Sequence, residues 1–345
     1  QPTWSPDGNR LAFVASTTAA VGGPGIQAGG RAALVGLQAQ TGPAGSIHLT
    51  PAHGGEATIV EAPFAPSYLY WSPDGTRLAF LGVDPTTQLQ TLGILDTGSL
   101  VVETIDTGQP YYFAWSPSSD RLLVHAGTSD LYYLGVDGTR VDLDPTPGGF
   151  SAPGWQGSTQ LIPAHGSDGP ILGLFEIDGT LRRAVTPYNG AMALGLSPEE
   201  TRVAYIDIQP GANPFGLGPL KVGTPQSTID VADPAGAFFW SADGARLLYL
   251  TPDVAGDDFR LRWNVWADGQ SVAFEPFLPT RTFVQRYLPF FGQYANSHSF
   301  FSPDGSAFIF TGTIAGRGEG VWLQSVDGSD PARLLGSGEV ATWAP

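Results

Sequence analysis

The sequence of 345 residues contains no cysteine, one methionine and one lysine. The absence of cysteine excludes disulfides, thiolate metal sites and a cysteine nucleophile. No run of 18 or more apolar residues occurs, so the sequence predicts no transmembrane helix. Only 14% of residues are charged, and 32 acidic against 16 basic side chains give a net charge of −16. Together with the lack of a basic cluster, this balance argues against a nucleic-acid partner.

Glycine, proline and aromatic residues are abundant instead. The chain has 46 glycines and 30 prolines, with 42% hydrophobic and 11% aromatic residues. This content is enough to fill a large core and excludes wholesale disorder. The combination favours short strands joined by tight turns over long helices.

A repeated segment organises the chain. Trp-Ser-Pro-Asp-Gly begins at Trp4 and again at Trp71, and one residue later each copy continues as Arg-Leu-Ala-Phe. Weaker copies begin at Trp115, Trp155, Leu196, Trp240 and Phe301, and a broken copy closes the chain at 341–345. Five of the seven spacings between successive copies fall at the ~40–45 residues of a four-stranded propeller blade. The two long spacings require insertions, which we place at residues 17–45 and 281–296.

Two kinds of turn recur in phase with this repeat. Ser-Pro-Asp-Gly links two short strands, because proline presets φ, aspartate bonds its own backbone and glycine accepts positive φ. A second turn follows later in four copies, at Asp137-Gly138, Asp178-Gly179, Asp268-Gly269 and Asp327-Gly328. Asp-Gly between two apolar runs is typical of a β-hairpin. The third blade is expected to contain strands at 111–115, 121–126, 131–136 and 141–143.

The repeat resembles that of TolB-type, WD-repeat-like bacterial β-propellers, and it also occurs in the propeller domains of prolyl oligopeptidases. The resemblance covers essentially the whole chain. It implies an all-β fold with one domain over residues 1–345, a seven-bladed β-propeller of four-stranded antiparallel blades. Residues 2–4 and 340–343 both qualify as the innermost strand of the first blade. We expect residues 340–343 to supply it, so that the C-terminal strand closes the ring.

The two insertions are predicted to differ in character. Residues 17–45 are rich in Ala, Gly and Gln and read as an extended hairpin or surface loop. Residues 281–296 carry five aromatics and an arginine within thirteen positions, so they must cover apolar surface or bind a partner. They either pack over the face of the ring or form a binding platform. The candidate partner or ligand contacts are Arg286, Tyr287, Phe290, Phe291, Tyr294 and His298.

The sequence offers no catalytic or metal-binding set. The predicted inner strands line the channel of a propeller and include residues 67–70 and 297–300. They contain no carboxylate, and no Gly-x-Ser-x-Gly, phosphate-loop or dinucleotide motif occurs in the chain. The five histidines do not form a ligand set. Asp253, Asp257 and Asp258 form an acidic loop that reads as solvated or as a weak Ca²⁺ site. We therefore predict no catalytic residue, no metal and no cofactor.

The preferred functional hypothesis is a non-catalytic propeller that binds another protein or assembles a complex at the bacterial cell envelope or outside the cell. The alternative is a glycan- or peptide-binding propeller, or a propeller hydrolase that uses the channel mouth. We expect a periplasmic, extracellular or cell-surface location, with any export signal outside this sequence. Abundant proline and arginine and the scarcity of oxidisable side chains suit a heat-tolerant or extracellular protein. A GC-rich genome would favour the same arginine, alanine, glycine and proline content.

Overall fold

The structure is a computed structural model that describes residues 2–15, 45–208, 216–255 and 258–345. The predicted insertion at 17–45 lies almost entirely outside the described residues. The described chain is built from antiparallel strands, each paired with its neighbour in sequence. None of its helices in the described part has the length and apolarity required to span a bilayer.

Five four-stranded sheets follow one another along the chain. The first contains β1 (Pro2–Trp4), β2 (Arg10–Ala15), β3 (Ser46–Pro51) and β4 (Thr58–Glu61). The second contains β5 (Ala65–Trp71), β6 (Arg77–Val83), β7 (Gln90–Asp96) and β8 (Val102–Gly108). The third contains β9 (Tyr111–Trp115), β10 (Arg121–Ala126), β11 (Asp130–Gly135) and β12 (Arg140–Asp142). The fourth contains β13 (Gly154–Gln156), β14 (Thr159–Gly166), β15 (Gly169–Glu176) and β16 (Leu181–Pro187). The fifth contains β17 (Met192–Leu196), β18 (Val203–Asp207), β19 (Gly218–Gly223) and β20 (Thr228–Ala235).

The last two repeats share one eight-stranded sheet. Its strands are β21 (Ala237–Trp240), β22 (Leu247–Ala255), β23 (Asp258–Ala267), β24 (Gln270–Ala273), β25 (Phe277–Pro279), β26 (Ala307–Ile314), β27 (Gly318–Ser325) and β28 (Arg333–Gly336). Strand β25 lies between β23 and β26, and Phe277 pairs with Leu261 on one side and Ile314 on the other. A strand just before the second predicted insertion therefore ties the last two repeats together.

The predicted turns are confirmed, and their chemistry is the one the motif requires. In the turn after β5, the Ser72 hydroxyl donates to the Asp74 carboxylate at 2.6 Å and accepts from the Arg77 amide at 3.0 Å. Gly75 has φ +68°, where a side chain would be strained. In the first copy of the motif, hydrogen bonds from Ser5 and Asn9 lower the pKa of Asp7 to about 2. These aspartates are turn formers, as predicted.

At three of the repeats, the tryptophan that ends the inner strand joins its sheet to the preceding one. The indole N–H of Trp71 donates to the Thr3 carbonyl of the first sheet at 3.2 Å. Trp115 and Trp240 make the equivalent bond to the preceding sheet, at 3.1 and 3.2 Å. The Arg10 guanidinium lies over the Trp71 ring, 4.9 Å from its centroid, which adds a cation–π contact. The repeat therefore encodes the contact between sheets as well as the turn within each.

The prediction that residues 340–343 supply the innermost strand of the first sheet is wrong for this structure. Pro2–Trp4 occupies that position and pairs with β2. Residues 340–343 belong to no strand, and the amide of Trp343 instead donates to the Ser299 carbonyl at 3.1 Å. The Thr342 hydroxyl donates to the same carbonyl, so these contacts hold the C-terminal segment beside the last repeat. No strand from the C-terminal segment joins the first sheet among the described residues.

Candidate functional site

The second predicted insertion folds into three short helical turns. They are a π-helical turn at Phe283–Tyr287, a 3-10 turn at Leu288–Phe290 and an α turn at Phe291–Tyr294. The Thr280 hydroxyl accepts from the Phe283 amide at 3.2 Å at the start of the first turn. We call residues 283–298 the plug.

The plug is amphipathic. Its buried side carries Phe283, Tyr287, Phe291, Gln293, Tyr294 and His298. Its exposed side carries Gln285, Arg286 and Pro289, with Leu288 and Phe290 half-buried. We call these five residues the outer face. A segment this apolar stays folded because one side is removed from water.

The plug lies where the inner strands of the sheets converge. It contacts Pro2 of β1, Tyr68 of β5 and Phe113 of β9. The Asn296 amide donates to the Pro153 carbonyl just before β13 at 3.3 Å, and the turn Phe291–Tyr294 lies against β17 and β21. The sixteen-residue plug therefore contacts the first strand of each of the six sheets, or in the fourth sheet the residue just before it.

Gln293 fixes the plug to the third sheet. Its Oε1 accepts from the Phe113 amide at 2.9 Å, and its Nε2 donates to the Phe113 carbonyl at 2.8 Å. The side-chain amide thus satisfies the two backbone groups that β9 directs away from β10. The second Nε2 hydrogen goes to the Tyr68 hydroxyl at 3.0 Å. With only 2% of its surface exposed, Gln293 has its amide fully paired, which a buried polar group requires.

A directional chain of hydrogen bonds continues from Tyr68 to the first sheet. The Tyr68 hydroxyl donates to Ser297 Oγ at 2.8 Å, and Ser297 Oγ lies 2.8 Å from Nδ1 of His298. The Nε2 of His298 is 3.1 Å from the Pro2 carbonyl. Because a carbonyl only accepts, Nε2 carries the proton and Nδ1 accepts from Ser297.

These buried groups are held in their neutral forms. Burial lowers the pKa of His298 to about 4. Burial also raises the pKa of Tyr68 well above its ordinary value, and it raises the pKa values of Tyr70 and Tyr112 in the same direction. Groups with such pKa values stay uncharged near neutral pH. The arrangement therefore acts as a set of fixed hydrogen bonds.

Aromatic rings fill the space around the hydrogen bonds that run from Tyr68 to Pro2. Tyr287 stacks on Tyr294 with ring centroids 4.4 Å apart, and Tyr294 meets the edge of Tyr68 at 5.2 Å. Phe291 packs against Phe238 of β21 at 5.5 Å. Such pairs contribute about 0.5–1.5 kcal/mol each beyond their buried area. The insertion packs over the inner strands of the sheets, which is one of the two predicted alternatives.

The six candidate contact residues divide between the two sides of the plug. Tyr287, Phe291, Tyr294 and His298 are buried, with exposures of 4%, 8%, 4% and 7%. Arg286 is exposed and Phe290 is half-buried. In this conformation a partner reaches only Arg286 and Phe290 of the predicted set.

Sequence reasoning did not single out Gln293 or Ser297. Gln293 is a side-chain amide flanked by aromatic residues, which is a signal for a buried polar anchor, but its partner Phe113 lies 180 residues away in sequence. Ser297 and Tyr68 were assigned only to predicted inner strands. In the structure residues 297–300 form no strand, and the last repeat keeps one bridge between Phe301 and Phe308.

The remaining candidates stay apart from the plug. His125 is buried, and its Nδ1 lies 2.9 Å from the Ser151 carbonyl. Asp253 pairs with Arg262, whereas Asp257 lies outside the described residues. Within the described ranges, no group of three or more His, Cys, Asp or Glu side chains is placed to hold a metal ion.

Comparison with solved structures places the chain among β-propellers. The chain superposes on the dihydro-heme d1 dehydrogenase NirN, solved in complex with DHE, with a TM-score of 0.59 and 13% identity, covering 100% of this chain and 67% of that one. The β-propeller domain of the Trilobed protease from Pyrococcus furiosus gives a TM-score of 0.52 and 12% identity over 94% of this chain and 96% of that one. TolB from Acinetobacter baumannii gives a TM-score of 0.45 and 14% identity. The match covers 68% of this chain and 61% of TolB.

At these identities the likeness concerns the fold alone. The expected resemblance to TolB-type, WD40-like propellers is confirmed at that level. No protein-family model matches the chain, and a search of curated proteins finds no match.

Proposed function

We propose that the chain is a seven-bladed β-propeller whose ring is held by the plug and by contacts between sheets. Five four-stranded sheets and one sheet containing two repeats account for seven blades. The propeller domain of the Trilobed protease has an open velcro topology, and a ring without a shared closing strand fits the pairing of Pro2–Trp4 with β2. Single-particle imaging with sevenfold classification would test the blade number, and six or eight blades would contradict it.

We propose further that this propeller is a non-catalytic module that binds another protein. The observation that carries this proposal is the plug, which fills the place where the inner strands meet with paired amides, hydroxyls and aromatic rings. A propeller is a scaffold whose function depends on the sites placed on it. With the centre occupied, the surface offered there is the outer face of the plug.

Partner capture with a pair of matched variants tests this function. Arg286→Glu combined with Phe290→Ala changes the two accessible candidate contacts without touching the buried side of the plug. Arg333→Glu makes the same charge change on β28, where Arg333 is also exposed. Cross-linking and affinity capture from the source cells should yield a partner that the double variant loses and Arg333→Glu keeps. A partner retained equally by both variants would reject the outer face as the binding site.

The alternative is an enzyme or a glycan- or peptide-binding propeller. It is supported by the propeller folds of NirN, a dehydrogenase, and of the Trilobed protease, which belong to enzymes. Arg286, Tyr294 and His298 would be its contacts, and Tyr294 and His298 would first have to be uncovered by movement of the plug. A glycan array and a panel of peptidase, lyase and esterase substrates test it. Turnover by the pure protein that is lost on His298→Gln would favour this alternative over the binding module.

We also propose a periplasmic or extracellular location, supported by the absence of cysteine and by the acidic composition. Cell fractionation with an antibody against the folded protein tests it, and recovery in the cytoplasmic fraction would contradict it.

A further inference from the structure

Arg286 differs from most other cations of the chain because nothing in the described part of the protein pairs with it. Its neighbour Arg281 donates to the Gln285 amide oxygen at 3.1 Å. Lys221 and seven of the arginines form ion pairs with carboxylates. Arg10, Arg77 and Arg183 donate to backbone carbonyls. Arg286 and Arg333 are exposed, and neither makes a hydrogen bond or an ion pair with a described residue.

Positive charge is scarce in this chain, so an exposed cation without a carboxylate partner is unusual here. Acidic side chains outnumber basic ones by 32 to 16, so carboxylates are plentiful across the chain. The Glu339 carboxylate reaches this segment, but it accepts a hydrogen bond from the Thr282 hydroxyl and pairs with neither arginine. The N–H donors of the Arg286 guanidinium are therefore accessible to a group from outside the described chain.

An apolar strip follows Arg286 on the same short segment. Leu288 and Phe290 are half-buried and Pro289 is exposed, all within four residues of Arg286. The strip is rigid, because Tyr287 and Phe291 on either side of it are anchored in the core. An arginine next to anchored apolar side chains is a composition that recurs in protein interfaces.

We propose that the outer face of the plug binds an acidic segment of a partner protein, with a carboxylate on Arg286 and a neighbouring apolar side chain on Leu288 and Phe290. This proposal rests on the proposed protein-binding function and adds the chemistry of the partner. The planar guanidinium accepts a carboxylate through two parallel hydrogen bonds, which gives orientation as well as attraction. The chain carries an excess of carboxylates, which disfavours acidic segments at most other positions. Arg286 differs from the equally exposed Arg333 in having the apolar strip beside it, so the pair of contacts sets the register.

Labelled peptides of defined composition test this chemistry. The probes are three twelve-residue peptides: Glu and Asp alternating with Leu and Phe, Lys alternating with the same apolar residues, and Glu and Asp alternating with Ser. Fluorescence anisotropy should show saturable binding of the acidic apolar peptide only. Arg286→Glu should weaken it by about tenfold or more, as expected for loss and reversal of a charged contact. Raising ionic strength from 0.05 to 0.5 M should weaken binding to the wild type, because the contact is exposed to screening.

Arg333→Glu is the matched control and should leave peptide affinity unchanged, and circular dichroism of all variants checks their folding. Equal binding of the acidic serine peptide, preference for the lysine peptide, or no effect of Arg286→Glu would overturn the proposal. Self-association in sedimentation that Arg286→Glu abolishes would assign the outer face to a second copy of this chain and would also overturn it. If no peptide binds while captured partners still depend on Arg286 and Phe290, this proposal fails and the binding function stands. If captured partners do not depend on them either, both fail.

Discussion

Replacing Gln293 by leucine tests how firmly the plug is held. Leucine keeps most of the side-chain volume but leaves the Phe113 N–H and carbonyl without partners and removes a donor from the Tyr68 hydroxyl. An unsatisfied buried polar group costs about 1–3 kcal/mol. The amide N–H should bear the full cost, whereas the carbonyl and the hydroxyl should bear less, since Tyr68 still donates to Ser297. We expect a loss of about 3–5 kcal/mol in the free energy of unfolding.

Urea unfolding followed by tryptophan fluorescence measures this loss. The midpoint should fall while the slope stays constant, because the substitution changes stability and not the surface exposed on unfolding. Gln285→Leu is the matched control, since Gln285 is exposed on the same segment and should change stability by no more than about 0.5 kcal/mol. If Gln293→Leu and Gln285→Leu unfold at the same urea concentration, the plug does not depend on this amide and the reasoning is refuted.

Four further substitutions probe the same architecture. Burial lowers the pKa of His298 to about 4, below the value of about 6.5 in an unfolded chain. The neutral imidazole therefore contributes fully to the free energy of unfolding above pH 6.5, and this contribution is lost as the pH falls towards 4. Between pH 7.5 and pH 5 the wild type should lose about 2 kcal/mol more than His298→Gln, and equal losses would contradict a buried neutral imidazole. Tyr68→Phe removes the hydroxyl in the middle of the hydrogen-bond chain and should cost about 1–3 kcal/mol in urea unfolding; an unchanged midpoint would argue against the chain. Trp71→Phe removes the indole hydrogen bond to Thr3 and should lower the melting temperature. Trp343→Phe should not lower it, because the Trp343 indole N–H has no partner among the described residues. A larger loss of melting temperature for Trp343→Phe than for Trp71→Phe would count against the contact between sheets.

The repeat made much of the fold predictable. Ser-Pro-Asp-Gly and Asp-Gly specify turns through residues that are adjacent in sequence, so the local chemistry determines them. The four strands of the third sheet lie within one residue of their predicted positions, and Gly138 and Gly179 adopt the expected positive φ. The predicted inner strand at 297–300 is absent, because Ser297 and His298 belong to the plug and bond to Tyr68 and Pro2 instead.

The candidate site was predictable only in part. The density of aromatics in residues 281–296 indicated a segment that covers apolar surface, and it does. Which side of the plug is buried depends on partners such as Phe113 and Tyr68, which are far away in sequence, so local pattern could not separate Tyr294 from Phe290. Two segments of similar sequence, residues 2–4 and 340–343, could each have formed the innermost strand of the first sheet. In the structure Pro2–Trp4 forms it, where it pairs with β2 and accepts the hydrogen bond from Trp71.

Hydrogen exchange at the Phe113 amide tests most directly whether residues 283–298 fill the centre of the propeller. This N–H donates to Gln293 of the plug at 2.9 Å. If the plug is seated, the amide exchanges only on global unfolding in the wild type and becomes accessible in Gln293→Leu. Rapid exchange at Phe113 in the native wild-type protein, at the rate of an exposed loop, would show that the centre is open and would contradict the account.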